Sequence, residues 1–258
     1  MAPEDKTVTL TAVKGLPLIE PGEDLGAILI EGIRRAGITP RDRDVLVIAQ
    51  KVVSKAEGRY VELRGVVPSA RAIELAASVQ KDPRVVEVIL SETQEIVRYR
   101  KDVLIVAHRL GFVMANAGVD QSNIEHRDGN ERVLLLPADP DASCAVLKTR
   151  MDKAFSADLG IVINDSFGRP WRNGVVGVAL GAAGLPSLLN LIGTPDLFGK
   201  TMRVTEVAFA DEIAAAASML MGQANERLPL VHVRGLDWDA PPRNAAALLR
   251  HKELDLFR

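Results

Sequence analysis

Two hydrophobic periods interleave along this chain. Leu25, Ile28, Leu29 and Ile33 recur at three- and four-residue spacing behind Asp24, which predicts a capped helix running to Arg35. The same period predicts helices over residues 69–80, 84–96, about 140–155 and 211–221. Short apolar or alternating runs predict strands at 7–13, 44–49, 103–108, 112–115, 133–136, 159–164, 202–209 and 228–233. Leu110-Gly111 reads as the turn between two of them, and Asp237 onward reads as a polar tail with a short helix. Helices and strands mix without a regular βαβ repeat. That order predicts an α+β fold with mixed, largely antiparallel sheets rather than a doubly wound one.

Composition narrows the function only slightly. At 258 residues, 47% hydrophobic and 26% charged, the chain has room for one large domain or two small lobes around a sizeable core. A formal charge of −2 gives no reason to expect nucleic acid or an anionic membrane as partner. The single cysteine, Cys144, leaves no intrachain disulfide and no Cys-rich zinc site. Met1 to Lys6 has neither the basic start nor the apolar core of a signal peptide, so a cytoplasmic protein is expected. The apolar stretch 175–185 is too short to span a membrane and is bracketed by Arg172 and Pro186. Its glycines at 174, 177, 181 and 184 instead suggest close backbone packing.

The chemistry concentrates in two segments. Ile161-Val-Ile-Asn-Asp165-Ser166-Phe-Gly-Arg169-Pro-Trp-Arg172 runs an apolar strand into an acid, a hydroxyl and two arginines, which places Asp165 and Ser166 at a strand's end. Phe112 to Asn123 does the same, ending in Asp120, Ser122 and Asn123. Two such acids from distant parts of the chain suit one oxygen-ligated divalent ion, and arginines suit phosphate or carboxylate. Taken singly, each acid reads equally well as a turn former. Lys55, just past the strand 44–49, is either a phosphate-neutralising cation or a solvated surface lysine. Gly193 to Thr201 is not a P-loop: five residues separate its glycines where the phosphate cradle needs four, and Pro195 removes a backbone N–H. No dinucleotide-binding glycine motif follows any strand. The histidines at 108, 126, 232 and 251 are scattered, with His108 and His232 in strands.

Taken in order, several segments resemble the coenzyme F420:L-glutamate ligase (F420-0:gamma-glutamyl ligase) family. They are Gly15–Ile19, Val53–Arg59, Asn116–Asn123, Asn164–Gly177, Ala210–Ala214 with Leu220–Gln223, and Val233–Leu236. Together they span nearly the whole chain to about residue 238, which sets a ligase domain at 1–238 and a C-terminal tail at 239–258. The resemblance implies a two-lobed fold, a homodimer, and a GTP-dependent amide ligase using two divalent ions, Mg²⁺ or Mn²⁺, with K⁺ as a further candidate ion. It implies nucleotide contacts at Leu16, Pro17, Leu18, Ile19, Gln50, Lys51, Lys55, Asn123, Met221, Gly222, Gln223 and Ala224. Asp120 and Asp165 would hold one ion, with Ser166 and Gln223 bearing on the second. Family members can carry Thr in place of Ser166 and Glu in place of Gln223, and the neutral Gln is the weaker ligand. Asp120, Asp165 and Lys55 are thus the candidate catalytic residues. Arg169 and Arg172 are candidates for the acceptor's phosphate or carboxylates, on charge and position alone. Some relatives carry a flavin-binding domain after this unit. With the sequence ending at Arg258, no flavin activity is expected.

The implied reaction joins L-glutamate to a carboxylate of the cofactor precursor through an acyl phosphate. Competing readings are the same chemistry on another cofactor acceptor, a nucleotide-binding regulator without turnover, and a metal phosphatase. The last lacks an Asp-x-Asp nucleophile pattern at Asp165.

Overall fold

Val45–Ala49 alternates between two cores: Leu46 and Ile48 face one, Val45 and Val47 the other, and all four are fully buried. A strand apolar on both faces must lie inside a covered sheet. The computed structural model describes residues 6–124 and 130–257; the first five residues, His126 and Arg258 lie outside the described residues.

The main sheet has five strands in the order β1 (Thr9–Ala12), β12 (Leu230–Arg234), β2 (Val45–Ala49), β8 (Gly160–Arg169), β9 (Arg172–Ala183). Its ladders are antiparallel except β2–β8, which is parallel and registers Ala49 against Asn164. One face is covered by α1 (Leu25–Arg35), α2 (Gln50–Ala56) and α5 (Pro140–Phe155), through Leu29, Ile33, Leu147 and Met151. The other is covered by α6 (Phe209–Met221), through Ala210, Ile213, Ala214 and Ala217. Asp24 caps α1 as expected, accepting from the Ala27 N–H at 2.9 Å.

A second lobe has its own core. The helices α3 (Ala70–Val79) and α4 (Pro83–Ser91) pack on the pair β3 (Tyr60–Glu62)–β7 (Arg132–Leu134) and on the sheet β4 (Thr93–Arg100)–β5 (Val103–His108)–β6 (Val113–Ala115). Leu75, Val86, Ile89, Leu104 and Val133 fill it. The architecture is α+β and two-lobed, with largely antiparallel sheets. A small arm, β10 (Leu189–Asn190) with β11 (Glu206–Val207), projects from the main lobe. Among the described residues no helix is long and apolar enough to cross a membrane.

Three elements depart from the expected pattern. The helix at 84–96 stops at Ser91, because Thr93 turns its hydroxyl back to the Ile89 carbonyl and then pairs with His108 at the start of β4. The strand at 202–209 shrinks to Glu206–Val207, since α6 begins at Phe209 and takes the apolar residues that follow. The loop 193–201 is closed by a Pro195–Thr201 bridge and leads into no strand at 202. A fourth difference matters more. Asp165 and Ser166 do not end a strand: β8 continues through them to Arg169 and returns as β9. The register slips between Ile163 and Asn164, leaving Leu180 of β9 as the extra residue, and such bulges re-aim the side chains beyond them. The tail carries two short 3₁₀ turns, and its Ala245 is buried against the α6 face.

The glycines of 175–185 act as the sequence suggested. A Cβ on Gly177 would overlap the Ala214 carbonyl of α6, and one on Gly181 would overlap the Pro140 carbonyl of α5. Both helices therefore lie directly on the β9 backbone. Gly177→Ala should destabilise the protein by about 2 kcal/mol, because backbone cannot yield as a side chain can. Gly168→Ala, in the same hairpin with open space around it, should fall within about 0.5 kcal/mol of wild type. Urea denaturation of the two variants checks this, and equal losses would refute it.

Candidate active site

Where β2 ends, α2 begins at the very next residue. Because β2 and β8 run parallel, that junction lies beside Asn164-Asp165-Ser166. The loop after β1, the 120–124 loop of the second lobe and the segment after α6 close around it. The result is a cleft of about 870 Å³. Its lining takes Leu16, Pro17, Leu18 and Ile19 from the first loop, and Gln50, Lys51 and Lys55 from α2. Asp120 and Asn123 come from the second lobe, Asp165 and Ser166 from β8, and Met221, Gly222, Gln223 and Ala224 from the α6 end. A smaller cavity, about 640 Å³ between α5, β9 and the tail, holds none of the candidate residues.

Arg169 and Arg172 do not line the cleft. They flank the β8–β9 turn, exposed, with Arg169 donating to the Gly174 carbonyl at 3.3 Å. Four residues of extended strand put Arg169 roughly 13 Å beyond Asp165. Either arginine can meet only a ligand that reaches out of the cleft.

The 120–124 loop is held by its neighbours. Asp120 bridges to Leu134 through both backbone hydrogen bonds, 2.9 Å each. Its Oδ1 accepts from the Ser122 N–H (2.7 Å) and hydroxyl (2.8 Å). Its Oδ2 lies 2.6 Å from the Lys51 ammonium, which also donates to Ser122 Oγ at 2.9 Å. Lys55, one helical turn on, donates to the Asn123 carbonyl at 3.0 Å, and the Asn123 amide donates to the Ala224 carbonyl at 3.0 Å. One loop thus ties the second lobe to α2 and to the α6 end. On the far wall, Ser166 Oγ donates to Gln223 Oε1 at 2.8 Å, so the two residues expected to share an ion meet across β8 and α6. Gln50 is buried and its Oε1 accepts from Ser54 at 2.9 Å, which leaves its NH₂ as the group it can offer.

The electrostatics are tense. Burial pushes the Asp165 carboxyl up to about 6, and the nearby Asp120 charge adds to the rise. The Ser166 N–H and Lys51 oppose it without cancelling it. Burial likewise pulls the Lys55 ammonium down, with Lys51 as a second cause. Two carboxylates and two lysines thus share one partly desolvated space.

This donor set fits divalent ions. Asp120 and Asp165 are hard oxygen ligands, and Ser166 and Gln223 add neutral oxygens. Among the described residues no three His, Cys, Asp or Glu side chains converge. The remaining positions would therefore fall to water or phosphate oxygens, as Mg²⁺ commonly takes them. The cleft also holds residues that sequence reasoning passed over. The Arg132 guanidinium lies 4.1 Å from the Tyr60 ring centroid on one wall, and Glu20 and Glu226 are on the rim. Neither Tyr60 nor Arg132 sits in a recognisable chemical motif; only the β3–β7 pairing brings them together.

Fold and cleft together define a class: an α+β protein with a carboxylate- and lysine-lined cleft and, among the described residues, no P-loop or Rossmann unit. Within that class, the F420-0:gamma-glutamyl ligase family model matches residues 15–235. Similar proteins include the coenzyme F420:L-glutamate ligase of Methanothermobacter thermautotrophicus, 42% identical over 97% of this chain and 99% of its own. Those of Methanopyrus kandleri and Methanocaldococcus jannaschii are 44% and 41% identical, with 93% and 94% of both chains covered. The chain belongs to the F420-0:gamma-glutamyl ligase family.

The raised Asp165 carboxyl predicts a pH effect on the metal-free protein. Between about 3.8 and about 6 the folded state binds more protons than the unfolded state, so Asp165 costs stability as pH rises through that window. Asp165→Asn removes the cost. It should stabilise the protein by about 1–2 kcal/mol at pH 7.5 and by nearly nothing at pH 4. Thermal melts with a chelator present measure both, and a loss of stability at pH 7.5 would contradict the assignment.

Proposed function

We propose that this protein is a GTP-dependent ligase that joins the amine of L-glutamate to a carboxylate of the coenzyme F420 precursor, releasing GDP and phosphate. The reading is carried by the meeting of Asp120, Asp165, Lys51 and Lys55 in one cleft, in a chain whose relatives bear the name coenzyme F420:L-glutamate ligase.

A carboxylate does not condense with an amine at neutral pH, because oxide is too poor a leaving group. Transfer of the γ-phosphoryl group to the acceptor carboxylate gives an acyl phosphate. The glutamate amine then attacks its carbonyl carbon, the C–O bond to phosphate breaks, and the amine proton leaves to solvent or a cleft carboxylate. The first step sets an anionic carboxylate against an anionic triphosphate, so positive charge must be placed in advance. Two divalent ions, Mg²⁺ or Mn²⁺, would supply much of it, worth several kcal/mol of charge stabilisation.

The chain's own residues supply the rest. Lys51 and Lys55 project from one face of α2 into the cleft and offset phosphate charge. Leu16 to Ile19 offer apolar and backbone contacts to the nucleoside, and Gln50 offers its amide NH₂. Asn123 and the segment Met221–Ala224 close over the opposite side. Asp120 and Asp165 would hold one ion, with Ser166 and Gln223 bearing on the second. Arg169 and Arg172 lie beyond the cleft, where an extended acceptor with its own phosphate would reach them. The exposed apolar residues Leu197, Phe198 and Val204 on the β10–β11 arm support self-association as a homodimer.

Purified protein with GTP, Mn²⁺ or Mg²⁺, L-glutamate and the unglutamylated precursor should yield a product heavier by one or more glutamyl units, seen by mass spectrometry, with GDP released. Phosphate release without such a product would keep the nucleotide site and discard the acceptor. Asp165→Ala should lower turnover at least about 100-fold, the scale for losing a metal-site ligand or its support, while circular dichroism stays native. Wild-type rates in that variant would remove Asp165 from the site.

A further inference from the structure

Both carboxylate oxygens of Asp120 are already engaged, and the less crowded one faces a cation. Oδ1 accepts two hydrogen bonds from Ser122, and Oδ2 is taken by the Lys51 ammonium at 2.6 Å. A divalent ion needs a carboxylate oxygen at about 2.0–2.2 Å, and an ammonium on the same oxygen would be repelled by the doubly charged ion and compete with it. Lys51 is only half-buried, its partner Ser122 Oγ belongs to the same loop, and its four-carbon stem is flexible. It has somewhere to go: the cleft it lines also holds Lys55, Gln50 and Asn123. Lys55 differs. Its ammonium is bonded to a backbone carbonyl, that of Asn123, and to no carboxylate oxygen among its described hydrogen bonds.

We propose that Lys51 is a stand-in cation: it occupies Asp120 when no divalent ion is bound, and ion binding displaces it into the cleft to meet the nucleotide's phosphates. Loading the ion and arming the phosphate-binding lysine are then one event. Without nucleotide the displaced ammonium has no new anion, so ion binding is weak; with nucleotide it has one, so binding tightens. This rests on the metal-dependent nucleotide reading given above, and deepens it by coupling the two ligands through one side chain.

The test is Mn²⁺ titration of the metal-free, nucleotide-free protein, followed by electron paramagnetic resonance of the unbound ion. Asp120→Asn identifies which binding belongs to this site. Lys51→Met removes the competing cation and should tighten Mn²⁺ binding by about fivefold, the worth of a partly buried ion pair, while weakening GDP binding. Lys51→Gln serves the same purpose should the methionine variant not fold. Lys51→Arg keeps a cation on Asp120 and should bind Mn²⁺ as wild type does. Lys55→Met should weaken GDP binding yet change Mn²⁺ affinity by less than about twofold, since its ammonium holds no Asp120 oxygen. Unchanged or weaker Mn²⁺ binding in both Lys51→Met and Lys51→Gln would overturn the stand-in role and leave the metal site intact. Absence of any Asp120-dependent Mn²⁺ binding, with or without GDP, would overturn the metal reading itself, and the stand-in role with it.

Discussion

The parallel pairing of β2 with β8 is the contact on which the rest of the structure depends. Among the described residues it is the sole parallel ladder of the main sheet, and along the paired stretch Val45–Ile48 and Gly160–Ile163 both strands are buried on both faces. Parallel strands end at the same edge, and in open sheets ligands gather at that edge. Here it brings Gln50 and Lys51, which open α2, beside Asp165 and Ser166, which continue β8. An antiparallel partner in the same place would have delivered the start of β8 to that edge and carried the acid to the opposite end. The close seats of α5 and α6 on β9 serve the same end. Gly181 and Gly177 let the helix backbones touch the strand, and α6 then delivers Met221 to Gln223 to the cleft wall.

The second lobe contributes an acid rather than a wall. Asp120 stands on a short loop reached through three left-handed residues, Asn116, Ala117 and Gly118, the last packed against Leu136 and Met114. Such backbone is costly for Asn and Ala, so the surroundings must hold it. The lobe is anchored nearby by a buried acid, Glu92, which Arg109 engages at 2.9 Å and Arg59 at 3.3 Å. Burial alone would raise its carboxyl, but the His108 side chain and the guanidinium groups of Arg109 and Arg59 outweigh that and hold it down at about 2. Arg59 follows α2 directly and also donates to the Leu136 carbonyl. The helix that carries both cleft lysines is thus tied at its far end to the lobe that carries Asp120.

Much of this was legible in the sequence because it is local. Asp24, Ser69 and Asp139 cap helices where periodicity placed them, and the strand pair around Leu110-Gly111 turns where glycine allows a positive φ. The two acids stood out since each interrupts an apolar run. What was hidden is long-range. Past Asn164 the hairpin reads Asp-Ser-Phe-Gly-Arg, too polar to look like strand, because its tip is exposed and its extension depends on pairing with β9, a partner the local sequence does not reveal. The helix predicted to Ile96 ended early because β4 gains more from pairing with β5 than from another helical turn. The stacking of Arg132 on Tyr60 joins residues 72 positions apart and leaves no local trace.

The Lys51–Asp120 pair belongs to that hidden class, and it explains a physical problem that the acids alone would pose. Two carboxylates in a partly desolvated cleft repel each other, and burial first, with the Asp120 charge adding to it, lifts the Asp165 carboxyl to about 6. Without Lys51 no cation would sit on either carboxylate, since Lys55 is bonded to the Asn123 carbonyl, and folding would bear the cost. A lysine on the adjacent helix relieves half of the problem, at Asp120, and leaves the other half at Asp165. The site is therefore neither fully satisfied nor fully frustrated before its ligands arrive. That residual imbalance favours cations entering the cleft, and it explains why a group free to swing, rather than a rigid arginine fork, occupies position 51.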